Sequence, residues 1–162
     1  MSEVHRYRTA LSWSGSTGVG YDAYERGHQL ESAPAATGLG LSSDPAFGGD
    51  PQRLNPEQLL LAAASSCQLL SFLAVAARAR IDVVGYDDEA EAEMPEDDRP
   101  MRIVRIHLRP AITLGASSAD VADDRLHHLV EVAHRECFIA NSLRSEMTIT
   151  PSFHRTAIGG GH

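Results

Sequence analysis

The only thiols in the chain are Cys67 and Cys137, and they stand 70 residues apart. That separation is too long for a CxxC redox motif or a paired zinc knuckle, so joint chemistry requires the fold to bring two distant segments together. A pair so joined can reduce peroxides. One thiolate attacks the O–O bond and becomes a sulfenic acid, and the second thiol condenses with it to a disulfide that protects against overoxidation. The attacking sulfur needs a cation beside it, because a free thiol is only a few per cent thiolate at neutral pH. Arginine suits the task, being always charged and able to hold a carboxylate at the same time. Taken alone, Cys67 reads equally as a small buried hydrophobe.

A carboxylate for such an arginine stands ten residues before Cys67, at Glu57, within Asn55-Pro56-Glu57-Gln58. Glu57 is explained as well by simple stabilisation of a helix N-terminus. The eight histidines invite a metal reading, since His127, His128 and His134 cluster just before Cys137. His127 and His134 share a helical face but lie two turns apart, roughly 11 Å, too far to hold one ion. They read as solvated surface histidines, and no metal site is expected. His134 would sit beside Cys137, as a thiol base, only if the helix continued through both. Trp13, Tyr7, Tyr21, Tyr24 and Phe72 read as core or interface, and Phe47 as a candidate pocket wall.

These residues need elements to position them. Asn55 is a cap, Pro56 a first helical residue that needs no N–H partner, and Glu57 and Gln58 fill the first turn, which predicts a helix from Pro56 to about Arg80. Its middle is apolar on nearly every side, so it reads as the central core helix and needs cover all round, more than one small subunit can give. The chain is therefore expected to form an obligate homodimer. Val4 to Ser14 and Tyr21 to Leu30 read as strands, and the Gly, Pro and Ser rich stretch from Ser32 to Pro51 as a long surface loop. Ile81 to Met94 and Met101 to Leu114 read as a hairpin. Ser118 to His134 reads as an amphipathic helix capped by Ser117 or Ser118. A short helical segment follows Cys137, then a strand from Glu146 to Phe153. Strands, long helix, strands, helices and strand, without regular βαβ alternation, give an α+β class. A single domain over residues 1–156 is expected, with residues 157–162, including Gly159-Gly160-Gly161, as a disordered tail.

Composition limits the partners. The chain has 162 residues, 43% of them hydrophobic and 22% charged, which is too apolar for a disordered chain. A formal charge of −8 and a pI near 5.4 give no broad attraction to nucleic acid or anionic membranes. Leu59 to Ala77 carries no charge, yet Ser65, Ser66, Gln68 and Ser71 interrupt it, so it reads as a buried helix rather than a membrane span. Two cysteines and no recognisable signal peptide point to the reducing cytoplasm.

Two segments match a known pattern. Asn55-Pro56-Glu57 with Cys67 ten residues after the glutamate, and Ala133-His134-Arg135-Glu136-Cys137-Phe138-Ile139 about 70 residues on, resemble the OsmC/Ohr family of osmotically inducible and organic hydroperoxide resistance proteins. The resemblance implies an α+β fold in which strands pack around a long central helix, in an intertwined homodimer. It implies a thiol-dependent peroxidase for organic hydroperoxides, with Cys67 peroxidatic, Cys137 resolving and Glu57 holding an activating arginine. It implies no bound cofactor, only an external thiol reductant such as a dithiol or lipoyl group. The loop positions nearest the family's arginine hold Ala46, Phe47 and Gly48, so Arg53 is the first candidate, with Arg26 and then Arg8 behind it. Two other readings stand beside the enzyme: a protein of the same fold that binds or senses a small hydrophobic ligand or oxidant, and a purely structural dimer.

Overall fold

The computed structural model describes Glu3 to Thr156, so the expected tail at residues 157–162 lies outside the described residues. The chain divides into two compact units, Met1–Leu59 and Leu60–His162.

The first unit is a small antiparallel sheet in the order β1 (Ala10–Ser12), β2 (His28–Glu31), β3 (Leu39–Leu41). Leu11 faces Leu30 across the first pair, and His28 faces Leu41 across the second. The strands are shorter than the sequence suggests. Residues 21–27 turn instead of extending, because the Arg26 guanidinium donates to the backbone oxygens of Tyr21 (2.7 Å) and Tyr24 (2.9 Å) and folds the chain around itself. The expected long loop contains β3, whose Leu41 is buried and bridges to Leu54. Past β3 the chain folds so closely that a Cβ on Gly49 would fall 1.7 Å from the Ser43 oxygen, a position only glycine fits.

The entry to helix α1 (Pro56–Arg78) follows the sequence closely. The Asn55 side-chain oxygen accepts from the Gln58 N–H (2.8 Å), and Gln58 Oε1 accepts from the Asn55 N–H (3.0 Å), a reciprocal capping box. α1 buries Ala64, Gln68, Phe72, Val75 and Ala76, which share one face at helical spacing. Its other side is open in the single chain: Leu70 is 63% exposed and Leu73 38%. By length and composition α1 could cross a membrane, but its buried face belongs to the protein core.

In the second unit the predicted hairpin forms and is broken in two. Strand β4 (Val83–Asp88) pairs antiparallel with β7 (Pro110–Leu114), and β5 (Glu91–Glu93) with β6 (Arg105–Leu108). At the break the Asp88 carboxylate accepts the Arg109 N–H (2.8 Å). The predicted last strand also splits, at Thr150-Pro151, into β8 (Glu146–Ile149), parallel to β6, and β9 (Ser152–Arg155), parallel to β7. Between β7 and β8 runs helix α2 (Asp123–Glu136). It starts five residues later than expected, and neither serine caps it. Ser117 Oγ donates to the Asp82 carboxylate (3.0 Å) and Ser118 Oγ accepts the Asp82 N–H (2.8 Å), so both are spent on the strand side; Asp123 and Asp124 supply the negative charge of the first turn.

One core cluster joins Phe72, Val75 and Ala76 of α1 to Ile112 and Leu114 of β7 and to Leu126, Val130 and Ala133 of α2. A second joins Ala64 to Ile106 and Leu108 of β6. The two helices are thereby fixed to the strands, and with them the two cysteines.

Candidate active site

Cys67 sits on α1 between Ser66 and the fully buried Gln68, half-buried itself. Cys137 ends α2: its N–H bonds to the His134 oxygen (3.2 Å), and its backbone leaves the helix in an extended conformation. The side chain turns inward and is fully buried. The fold thus brings the two cysteines to the same loop across 70 residues, both thiols free. Burial pushes the Cys137 thiol up to about 11, an effect that the N–H groups of Ala140 and Ile139 oppose and the neighbouring Cys67 adds to. Cys137 is therefore held as the thiol.

The segment after α2 also touches both sulfurs. The N–H of Ile139 donates to Cys67 Sγ at 3.5 Å, and that of Ala140 to Cys137 Sγ at 3.5 Å. A half-open groove of about 600 Å³ lies over Cys67, walled by Leu70, Ala74, Phe138, Arg78 and Arg135. Phe138 is 78% exposed. Arg78 pairs with Glu136 at 3.3 Å. Neither arginine lies in the loop before Asn55, where the sequence pattern places the cation. Arg78 was findable, since it stands eleven residues, close to three turns, beyond Cys67 on the same helix. Behind Cys137, the Tyr86 hydroxyl is buried without a hydrogen-bond partner, and burial, Asp88 and Cys137 in that order hold the phenol protonated.

The remaining predicted residues belong to the first unit. Glu57 is half-buried in the first turn of α1. Arg53 pairs with Asp50 at 3.4 Å, both side chains largely exposed. Arg26 is held more firmly than either, its guanidinium 4.0 Å from the Tyr24 ring centre and 4.9 Å from that of Tyr21. Arg8 takes part through its backbone oxygen, which accepts from Ser32 Oγ.

Of the clustered histidines, His127 and His128 are exposed, and His127 lies edge-on to Phe153 with ring centres 5.0 Å apart. His134 is not the solvated residue expected. It is half-buried, with Nδ1 unpartnered, in a separate small pocket beside Val130, Glu131, Ile149 and Pro151. Cys137 leaves the helix in an extended conformation, and His134 lines a different pocket from Cys67. Among the described residues no group of three or more His, Cys, Asp or Glu side chains is placed to hold a metal ion.

A long helix that presents one thiol to a groove, with a second thiol sealed behind it by the end of another helix, defines a dithiol protein of mixed α+β fold. The family model described as OsmC-like protein matches residues 48–152, and the chain belongs to that family. The fold is shared with an OsmC-like protein of unknown function from Vibrio cholerae (24% identity, 92% of this chain and 100% of that one, TM-score 0.83). It is also shared with an organic hydroperoxide resistance protein from Elizabethkingia anophelis (17% identity, 96% and 100%, TM-score 0.70). A third similar structure is the organic hydroperoxide resistance protein OsmC from Legionella pneumophila (18% identity, 93% and 99%, TM-score 0.63). No curated protein matches the sequence.

Proposed function

We propose that this protein is a thiol-dependent peroxidase that reduces organic hydroperoxides, with Cys67 peroxidatic and Cys137 resolving. The observation that carries this reading is the approach of both thiols to one loop, with the Ile139 N–H on Cys67 and the Ala140 N–H on Cys137, the first thiol open to a groove and the second buried. The Cys67 thiolate attacks the outer oxygen of the hydroperoxide; the O–O bond breaks, the alkoxide takes a proton and leaves as the alcohol, and Cys67 becomes a sulfenic acid. The Cys137 sulfur then attacks the Cys67 sulfur, its proton leaves with the hydroxyl as water, and a disulfide remains. An external dithiol or lipoyl group restores both thiols by exchange, and no bound cofactor takes part. Leu70, Ala74 and Phe138 along the groove favour an alkyl or aryl hydroperoxide over hydrogen peroxide. The names of the Elizabethkingia and Legionella proteins agree with that substrate class.

Glu57 and Arg53 keep the roles that the family resemblance implies, the carboxylate and the activating cation. The working form is a homodimer, supported by the uncovered Leu70 and Leu73 of α1. Thiols that must be reduced to act suit a reducing cytoplasm. The test is consumption of cumene hydroperoxide against hydrogen peroxide, with dithiothreitol or lipoamide as donor, alongside intact mass after one equivalent of oxidant. Faster turnover of cumene hydroperoxide and an intramolecular disulfide are expected. Absence of both turnover and mass change would replace the enzyme with the ligand-binding reading.

A further inference from the structure

The turn that follows Cys137 places two consecutive backbone N–H groups on the two sulfurs, a feature with no counterpart in the side-chain pattern. The Ile139 N–H donates to Cys67 Sγ and the Ala140 N–H to Cys137 Sγ, both at 3.5 Å. The internal bonds of the turn begin only at the next residue: the Asn141 N–H goes to the Cys137 oxygen, that of Ser142 to the Ile139 oxygen and that of Leu143 to the Ala140 oxygen. The two preceding donors are thus left for the sulfurs. They are also fixed in place, because the Ile139 and Leu143 side chains pack on the cluster of Ala64, Ile106 and Leu108, and the Asn141 side chain ties the turn back to the Arg135 oxygen (3.0 Å).

Successive backbone N–H groups aimed at one place form an anion-binding concavity, and a donor to the charged form of an acid favours that form. A backbone donor held by a core cannot swing away as a long side chain can, and it stays at the reacting atom through the cycle. We propose that the Ile139 and Ala140 amides are a thiolate cradle: Ile139 N–H holds Cys67 as the anion that attacks the hydroperoxide, and Ala140 N–H supports the Cys137 sulfur as it gives up its proton in disulfide formation. This rests on the peroxidase reading for its purpose, but the cradle itself acts on sulfur ionisation and is measurable without peroxide. It makes the loop after α2, and not only an arginine, a determinant of Cys67 reactivity.

Ile139 has φ −68°, which proline adopts without strain, so Ile139→Pro deletes the donor. An amide-to-ester replacement at the same position deletes only the N–H and keeps the isoleucine side chain. Site-resolved alkylation by iodoacetamide, followed by mass spectrometry from pH 5 to 11, reads the effect. The expected result is a roughly tenfold slower alkylation of Cys67 at neutral pH, with the limiting rate at high pH unchanged, the size of one hydrogen bond to a charged group. Leu143→Ala, which loosens the same packing cluster but removes no donor, should leave the profile in place. If Ile139→Pro fails to fold, the ester variant decides. An ester variant with the native profile overturns the cradle. A native protein that alkylates as expected yet consumes no hydroperoxide overturns the peroxidase reading and leaves the cradle standing.

Discussion

Residues 60–162 bury Phe72, Ile106, Leu108, Ile112, Leu114 and Leu126 almost completely, whereas in the described part of residues 1–59 the only buried hydrophobic side chain is Leu41. The first unit instead leaves Tyr7, Leu11, Trp13, Tyr21, Phe47 and Leu54 exposed. Its order comes from three short strands and from polar anchors, such as Trp13 Nε1 donating to the Glu25 oxygen at 2.7 Å and Arg26 donating to the oxygens of Tyr21 and Tyr24. The two cysteines fall in the unit with the buried core, and the candidate arginines Arg53, Arg26 and Arg8 in the unit without one. The difference teaches where each kind of precision comes from. Close packing fixes the thiols through many small contacts. The arginines are placed by a few directional bonds, and a three-stranded sheet this exposed needs further cover to be stable.

The sharpest test of that contrast is chemical. Cys67→Ser should abolish hydroperoxide reduction, whereas Cys137→Ser should still be oxidised once and then accumulate sulfenic and sulfinic acid at Cys67, since only the resolving step is lost. Intact mass after one equivalent of peroxide separates the two, and equal inertness of both variants in the first turnover would break the assignment.

Packing comes next. Phe72→Ala should cost about 3–5 kcal/mol by denaturant unfolding, the range for an aromatic lost from a core. Leu11→Ala, on the exposed sheet of the first unit, should barely move the unfolding of the chain, whereas Leu73→Asp, on the uncovered side of α1, should shift sedimentation from twice 17.5 kDa toward the single mass on dilution and lower the unfolding midpoint with it. A native protein that sediments as a folded monomer at micromolar concentration would remove the dimer.

The buried thiol gives a pH signature. Cys137 is raised in the folded state from 9.0 to about 11, so the folded protein binds that proton more tightly than the unfolded chain. Its contribution is fully present below pH 9 and is lost as pH rises through about 11, at most on the order of 3 kcal/mol. Tyr86, raised by burial, adds a loss of the same sign that begins above pH 10. Cys137→Ala should flatten the decline between pH 9 and 10. A decline identical to that of the native protein would show that Cys137 is not the group responsible.

The smallest expected effects concern the two arginines of the first unit. Arg26→Ala should lower stability by about 1–2 kcal/mol, because its guanidinium ties two carbonyls and lies over two rings. Arg53→Ala removes an exposed pair with Asp50 and should leave the thermal midpoint unchanged while slowing oxidation of Cys67. The same two variants with their effects on oxidation reversed would transfer the activating role to Arg26.

Local chemistry in the sequence determined a good deal. The start of α1 was legible because Asn55, Pro56 and Gln58 satisfy the first free N–H groups from within four residues, and the structure shows that box. The α+β class, the hairpin and the two cysteine segments were legible for the same reason, their signals being short-range or carried by recognisable motifs. Contacts between distant segments were not. Ser117 and Ser118 have the composition of a helix cap, but Asp82, 35 and 36 residues away, claims both. Arg26 bends a predicted strand into a turn by reaching for carbonyls that every residue carries. The split of the last strand between two sheets follows from a pairing with β6 and β7 that no local pattern records. The pairing of Cys67 with Cys137 was implied by the family resemblance, whereas the place of the Ile139 and Ala140 amides on the two sulfurs was decided by the tertiary structure. A backbone N–H has no residue type, and only the packing of α1, α2 and the strands between them says where it points.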